Sequence, residues 1–211
     1  MACESPTDLP VLHAIRLKGM ADVGVVAERF ALGRDLVQAL LLDYEVLRWV
    51  ERVGFADLSG WTLADAGRVE NERRLAAELA ETDGREAISA AHATFLPLNG
   101  QFLTAVTNWQ IRPTPWDPLA ANDHDDWRWD ERVMRELASL HRRLQPVCDR
   151  LTGTLSRFDG YSDRFAAALD RVDQGQTAWV DQPGIDSCHL IWFELHETLL
   201  ATLGLERGQE S

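Results

Sequence analysis

Hydrophobic positions recur with a helical period along most of this chain and alternate with polar ones in only one stretch. Between residues 36 and 46, Val37, Leu41 and Tyr44 follow one another at steps of four and three, which is typical of a helix with one buried face. Residues 49–53 and 61–63 have a strand pattern, and turn-forming residues separate them. The pattern therefore predicts a helix followed by a β-hairpin.

Two further helices are predicted upstream of this segment. Residues 12–17 are apolar enough to form the first, and Asp22 is suited to be the N-cap of a second helix over residues 23–30. Gly33 suits a left-handed position in the tight turn that follows. A third helix is predicted to begin at Arg34.

The run 61–68, WTLADAGR, lies directly after the predicted hairpin. Within it Thr62 and Asp65 resemble a capping box that begins the next helix. The run is similar to the "sLTxxGr" segment that follows the wing in winged helix-turn-helix regulators of the MarR and PadR kind. The turn 31–33 and the helix around Leu41 match those proteins too. The resemblance covers about the first third of the chain and implies a winged helix-turn-helix domain over residues 1–80.

Residues 81–211 are predicted to form an α-helical domain. The strong helix propensity of a segment rich in Ala, Glu and Arg indicates a helix over 63–81. Apolar residues indicate further helices over 85–109, 127–155, 161–172 and 186–203. Pro97 and Pro146 are expected to kink or divide the helices that contain them. The C-terminal run DSCHLIWFELHETLLATLGL resembles a segment of uncharacterised actinobacterial winged-helix proteins, which implies no activity. The predicted fold is thus mainly α with one β-hairpin.

The net charge of −13 argues against nucleic-acid binding, because phosphate neutralisation dominates affinity for DNA. The charge is unevenly distributed, however. Residues 1–75 carry nine basic and twelve acidic side chains, a net charge of −3. Most of the excess acid therefore lies downstream, and a dimer with a locally basic face could still bind DNA.

The resemblance to winged-helix regulators implies that the third helix enters the major groove of double-stranded DNA. The residues at its start would read base edges, since Arg pairs with guanine and Gln with adenine. Those residues are Arg34 and Gln38, while Arg29, Arg48 and Arg52 would hold phosphates.

An alternative stays open in the same segment, namely a winged helix that binds a protein or a ligand and not DNA. The third helix has few polar donors, because Leu36, Leu40 and Leu42 crowd it. The predicted wing tip, residues 56–59, has no basic side chain for the minor groove.

Eight tryptophans are many for 211 residues, and several lie in the second part of the chain near proline-rich turns. Aromatic walls with a few polar groups are typical of small-molecule sites. The candidate lining residues are Trp109, Trp129, Trp179, His189, Trp192 and His196. Plain core packing is the alternative interpretation of the same residues.

The sequence contains no pattern that favours an enzyme, a metal site or a cofactor. His189 and His196 lie two helical turns apart, so about 10 Å would separate them, which is too far for one ion. Cys188 and His189 are adjacent and point apart on a helix. Phosphate-binding loops, dinucleotide fingerprints and catalytic serine elbows are absent from the sequence.

The three cysteines are odd in number and far apart, which favours a reducing, cytoplasmic setting. The N-terminus has no secretory signal, and no apolar stretch reaches 18 residues, so no membrane association is expected. We therefore predict a cytoplasmic, homodimeric transcriptional regulator that reads a palindromic or pseudopalindromic site. Its helical part would dimerise and is a candidate sensor of a small-molecule effector.

Overall fold

The computed structural model describes residues 3–55, 58–206 and 208. Within these residues the chain is mainly helical and has one small three-stranded antiparallel sheet, which confirms the predicted predominance of helix. The chain divides into two compact units. The first comprises Met1–Glu86, Thr154–Arg157 and His196–Ser211, and the second comprises Ala87–Gly153 and Phe158–Leu195.

The first unit contains four helices and three strands among its described residues before the chain enters the second unit. They are α1 (Asp8–Lys18), β1 (Met20–Ala21), α2 (Val23–Arg29), α3 (Arg34–Val46), β2 (Val50–Phe55), β3 (Leu58–Leu63) and α4 (Asp65–Glu81). The sequence pattern did not predict β1, because two residues carry no recognisable period.

The sheet has the order β1-β3-β2, with both pairs antiparallel. Strands β2 and β3 pair from Val50 opposite Leu63 to Phe55 opposite Leu58, as the predicted hairpin requires. Ala21 pairs with Trp61 and adds β1 to the other edge of β3. Residues 56 and 57 of the predicted wing tip lie outside the described residues.

The core of the first unit forms where α1 packs against α3 and the sheet. Val37, Leu41 and Tyr44 are all buried, as the three- and four-residue spacing predicted. They meet Ile15 of α1 and Trp61 of β3 in one hydrophobic cluster. This cluster holds the start of α3 in a set position relative to the hairpin.

The helix caps and the turn before α3 follow the sequence prediction at one position and depart from it at two. Asp22 caps α2 by accepting a hydrogen bond from the amide of Val25 at 2.9 Å, as predicted. The capping box at Thr62 is wrong, because Thr62 lies within β3 and its hydroxyl donates to the Gly19 carbonyl at 2.9 Å. The left-handed residue of the turn is Ala31, with φ +51°, and not Gly33, which has φ −66°.

The second unit is built from α5 (Arg85–Gln110), α6 (Trp127–Thr154), α7 (Tyr161–Asp173) and the first half of α8 (Cys188–Leu203). Helices α5 and α6 each continue through their internal proline, so neither proline divides its helix. No helix within the described ranges combines the length and the apolar character needed to cross a membrane.

Candidate nucleic-acid interface

The start of α3 is the part of the first unit where the sequence places base-reading residues. Arg34 is the first residue of this helix and is exposed, while Gln38 lies one turn later and is half-buried. Residues four apart lie on the same face of a helix, so the two side chains point to the same region of the surface.

A concavity of about 440 Å³ lies beside this face of α3. Arg34, Gln38 and Arg52 line it together, although they come from two different elements. The remaining lining residues come from the start of α2 and from the two strands of the hairpin: Asp22, Val23, Gly24, Val53, Ser59, Gly60 and Trp61. The structure thus unites three of the five predicted DNA-binding residues.

Arg52 projects from β2 with its guanidinium 4.5 Å from the centre of the Trp61 ring. Its Nε atom lies 3.4 Å from a carboxylate oxygen of Glu45, and 57% of the side chain is exposed. An exposed ion pair of this kind contributes little free energy, so Arg52 can exchange Glu45 for a phosphate at low cost.

Gly24 leaves room for the Arg34 side chain at the edge of the concavity. A Cβ atom built at Gly24 would lie 3.0 Å from Nη2 of Arg34 and 3.0 Å from Oδ1 of Asp22. Any larger residue at this position would compete with the guanidinium for space.

The other two predicted phosphate-binding residues lie outside the lining of this concavity. Arg29 is half-buried, and its guanidinium covers the Phe30 ring at 4.7 Å. Arg48 is exposed in the turn between α3 and β2, where it adopts a left-handed conformation with φ +61°.

Several large apolar side chains of α3 are exposed to solvent. Leu36, Leu42 and Val46 are 46%, 41% and 84% exposed, and Leu47 directly after the helix is 52% exposed. Leu36 and Leu42 stand outside the buried face already in the sequence pattern. Val46 comes five residues after Leu41, so at 100° per residue it also points away from the buried face.

The six residues predicted to line a small-molecule pocket do not share one environment. Trp129 lines a groove of about 370 Å³ between α5 and α6, and its indole donates to the Asn108 carbonyl at 2.6 Å. Trp109 is buried against His124, with ring centres 4.4 Å apart. Trp179 lies under the guanidinium of Arg171 at 4.8 Å.

Trp192 is a core residue of the second unit. It stacks on Phe102 at 4.3 Å with nearly parallel rings, and its indole donates to Oδ1 of Asn99 at 2.9 Å. The ring centre of His189 lies 6.3 Å from the ring centre of Phe102. His196 is buried and lies on α8 one turn after Trp192. Core packing therefore accounts for Trp192 better than a ligand does.

The described residues contain no group of three or more His, Cys, Asp or Glu side chains that could hold a metal ion. Burial raises the pKa of the Cys188 thiol to about 12. A thiol with that pKa stays protonated at neutral pH, so Cys188 lacks the thiolate that nucleophilic chemistry needs.

Comparison with known proteins adds no relative to this geometry. The sequence matches no protein-family model, no curated protein and no solved structure.

Proposed function

We propose that this protein is a cytoplasmic, homodimeric transcriptional regulator whose first unit is a winged helix-turn-helix. The order α1-β1-α2-α3-β2-β3 and the sheet order β1-β3-β2 support this proposal. In it, α2 and α3 form the helix-turn-helix across a four-residue connection, α3 is the recognition helix and the β2–β3 hairpin is the wing.

The observation that carries the proposal is the convergence of Arg34, Gln38 and Arg52 on one concavity. The N-terminal residues of a recognition helix meet base edges in the major groove. Arg34 and Gln38 have the side chains that pair with guanine and adenine there. Arg52 on the neighbouring strand would contact the DNA backbone and set the register of the helix.

Fluorescence anisotropy tests the proposal by measuring how the protein binds a short DNA duplex taken from the region upstream of its own gene. The double variant Arg34→Ala/Gln38→Ala should weaken sequence-specific binding by about tenfold or more, since each bidentate base contact contributes about 1–3 kcal/mol. Circular dichroism should remain unchanged, because Arg34 is exposed and Gln38 is only half-buried.

The matched control is Arg142→Ala, which removes the same charge from an exposed position on α6 of the second unit. It should leave DNA binding unchanged. Equal affinity of the wild type and the double variant for this DNA would rule out base reading by α3. A folded wild type that binds no DNA at low salt would sink the proposed function as a whole.

In the same proposal the helical part supplies the dimer contact and is the candidate site of an effector. A dimer selects its operator by the spacing between two recognition helices. A small molecule that changed this spacing would couple its own binding to DNA binding.

A second candidate function is a winged helix that binds a protein, and the exposed apolar side chains of Leu36, Leu42 and Val46 favour it. Leu42 and Val46 lie two to three turns from the start of α3, beyond the residues that meet bases. The variant Leu42→Ser/Val46→Ser should therefore leave DNA affinity intact if α3 reads DNA. Loss of a specific partner in a pull-down, without DNA binding by the wild type, would favour the second function.

A further inference from the structure

The loop between α5 and α6, residues 111–126, presents the most exposed tryptophan of the described residues. Trp116 is 93% exposed, and Leu119 three residues later is 73% exposed. Tryptophan is enriched among the residues that anchor protein interfaces, and leaving its large apolar surface in water is costly.

This loop is held in one conformation by its own hydrogen bonds. Ile111 forms a β-bridge with Ala121, and the amide of Asn122 donates to the Gln110 carbonyl at 2.8 Å. The amide of Thr114 donates to the Asp117 carbonyl at 2.9 Å across the tip that carries Trp116. A loop ordered before binding loses little entropy on binding, so Trp116 is presented as a preorganised anchor.

The groove between α5 and α6 is a receptor of matching size in the same unit. Its residues repeat at three- and four-residue steps on both helices, and all eight come from the helices: Gln101, Thr104, Ala105, Asn108, Trp129, Arg132, Val133 and Glu136. None of them belongs to the 111–126 loop, so the loop of the same chain does not fill the groove. The volume of about 370 Å³ is in the range of ligand-sized pockets.

Charge complementarity relates the loop to the groove. The 111–126 loop carries Asp117, Asp123, Asp125 and Asp126 against the single arginine Arg112. Arg112 already pairs with Asp123 and Asp126, at 3.5 Å and 3.3 Å. Asp117 directly follows Trp116, and its carboxylate accepts a hydrogen bond from the amide of Leu119 at 2.9 Å, so it is the acidic group beside the exposed apolar side chains. The groove presents one basic and one acidic side chain, Arg132 and Glu136. The guanidinium of Arg132 lies 4.8 Å from the Trp129 ring centre and is the group with which Asp117 can pair.

We propose that a second copy of this chain covers both features, with Trp116 of each protomer seated in the α5–α6 groove of its partner and Asp117 facing Arg132. A two-fold interface uses the same patch on both subunits, so one loop and one groove per chain satisfy each other twice. The inference deepens the proposed function, which requires a homodimer, by assigning the contact that forms it.

Sedimentation velocity and light scattering over a range of concentrations test the assignment by mass. The wild type should form dimers, and Trp116→Ala should raise the dimer dissociation constant at least tenfold, as expected for a central tryptophan anchor. The matched control is Trp127→Ala, which removes a tryptophan that is 65% exposed in the same unit but does not line the groove. That variant should dimerise like the wild type.

A charge exchange tests whether the tryptophan enters this groove. Asp117→Arg alone and Arg132→Asp alone should each weaken the dimer, and the two changes together should restore most of the affinity. A wild type that stays monomeric, a dimer that tolerates Trp116→Ala, or an exchange without restoration would each overturn the proposal. All these readouts are masses, so they fail or succeed independently of DNA binding.

Discussion

At the scale of single residues, the first unit contains a buried polar network that the sequence pattern did not indicate. His13 of α1 lies between Asn71 of α4, at 3.2 Å, and Thr198 of α8, at 3.1 Å. Arg157 and Glu78 form an ion pair at 2.7 Å, with side chains 1% and 4% exposed. His189 and His196 were the candidate histidines in the sequence. His13 was not among them, because its partners Asn71 and Thr198 are distant in sequence.

The buried ion pair predicts a large loss of stability when one partner is removed. Glu78→Gln leaves the guanidinium of Arg157 buried without its counter-charge, which costs about 3–5 kcal/mol. Replacing both residues by methionine should restore most of the free energy of unfolding, because neither charge is then buried. Urea unfolding of the single and double variants measures this. A single variant as stable as the wild type would contradict the prediction.

His13 predicts that stability falls as the pH drops below neutrality. Burial, and then the positive charge of Arg157, hold the pKa of His13 well below its usual value, and the hydrogen bond with Asn71 opposes this only in part. An unfolded histidine takes up its proton near pH 6.5, so the unfolded chain binds more protons below that pH. The free energy of unfolding should then decrease between about pH 7 and pH 5, by up to about 1.4 kcal/mol per pH unit.

Urea unfolding at several pH values measures the His13 effect. The variant His13→Gln should lose this part of the pH dependence, whereas His124→Gln, at an exposed position, should retain it. The carboxyl of Glu70 titrates in a different window, because its hydrogen bond with Arg73 lowers its pKa to about 2. Its contribution is therefore lost only below about pH 4.5. A His13→Gln variant with the wild-type slope would show that His13 is not the group responsible.

At the scale of elements, the contact between α4 and the turn before β2 depends on one missing side chain. A Cβ atom at Gly67 would lie 1.9 Å from the carbonyl oxygen of Trp49. That carbonyl already accepts a hydrogen bond from the amide of Ala64 at 2.9 Å. The glycine in the WTLADAGR run thus lets the helix after the hairpin pack directly on the backbone that precedes it.

Gly67→Ala should destabilise the first unit by about 3 kcal/mol or more, because backbone atoms at this contact cannot move aside as a side chain can. Gly100→Ala is the matched control, since it lies inside α5 with no atom within 4 Å of its Cβ position. The control should raise stability by about 0.5–1 kcal/mol. Thermal or urea unfolding compares the two, and equal effects would show that the close contact at Trp49 is not limiting.

At the scale of the whole molecule, the net charge of −13 must be reconciled with the DNA binding that we propose. Counterion release depends on the phosphates that are contacted and not on the total charge of the protein. Arg34, Arg48 and Arg52 are exposed in the first unit, whose sequence up to residue 75 has a net charge of only −3. A strongly acidic protein can therefore have a DNA face with a steep salt dependence.

If the proposed function holds, the salt dependence of DNA binding also gives the number of chains on the DNA. Arg52→Ala should lower the slope of log affinity against log salt by about two for a dimer, because one phosphate contact is lost per chain. For a monomer, the same substitution should lower this slope by about one. Anisotropy titrations at several salt concentrations measure the slope, with Arg142→Ala as the control that should not change it. An unchanged slope for Arg52→Ala would remove this residue from the interface.

Sequence periodicity by itself predicted most of the helices to within a residue or two at their ends. Helix α3 begins at Arg34 and α7 at Tyr161, as their patterns indicated. The reason is that apolar spacing and an N-cap such as Asp22 act within one element. The choice of Arg34 and Gln38 as candidate base-reading residues came from the resemblance to winged-helix regulators and not from these local signals.

Tertiary contacts determined three features that no local sequence pattern predicts: strand β1, the residues that share one concavity, and the burial of each tryptophan. Strand β1 exists only because Ala21 pairs with Trp61, which lies 40 residues away in sequence. Arg52 joins Arg34 at one concavity because the hydrophobic core fixes the hairpin against α3. Likewise, burial or exposure of each tryptophan depends on the partners it meets: Trp192 packs in the core, while Trp116 is left in solvent. Such contacts join distant parts of the chain, so only the folded molecule shows which residues form a site.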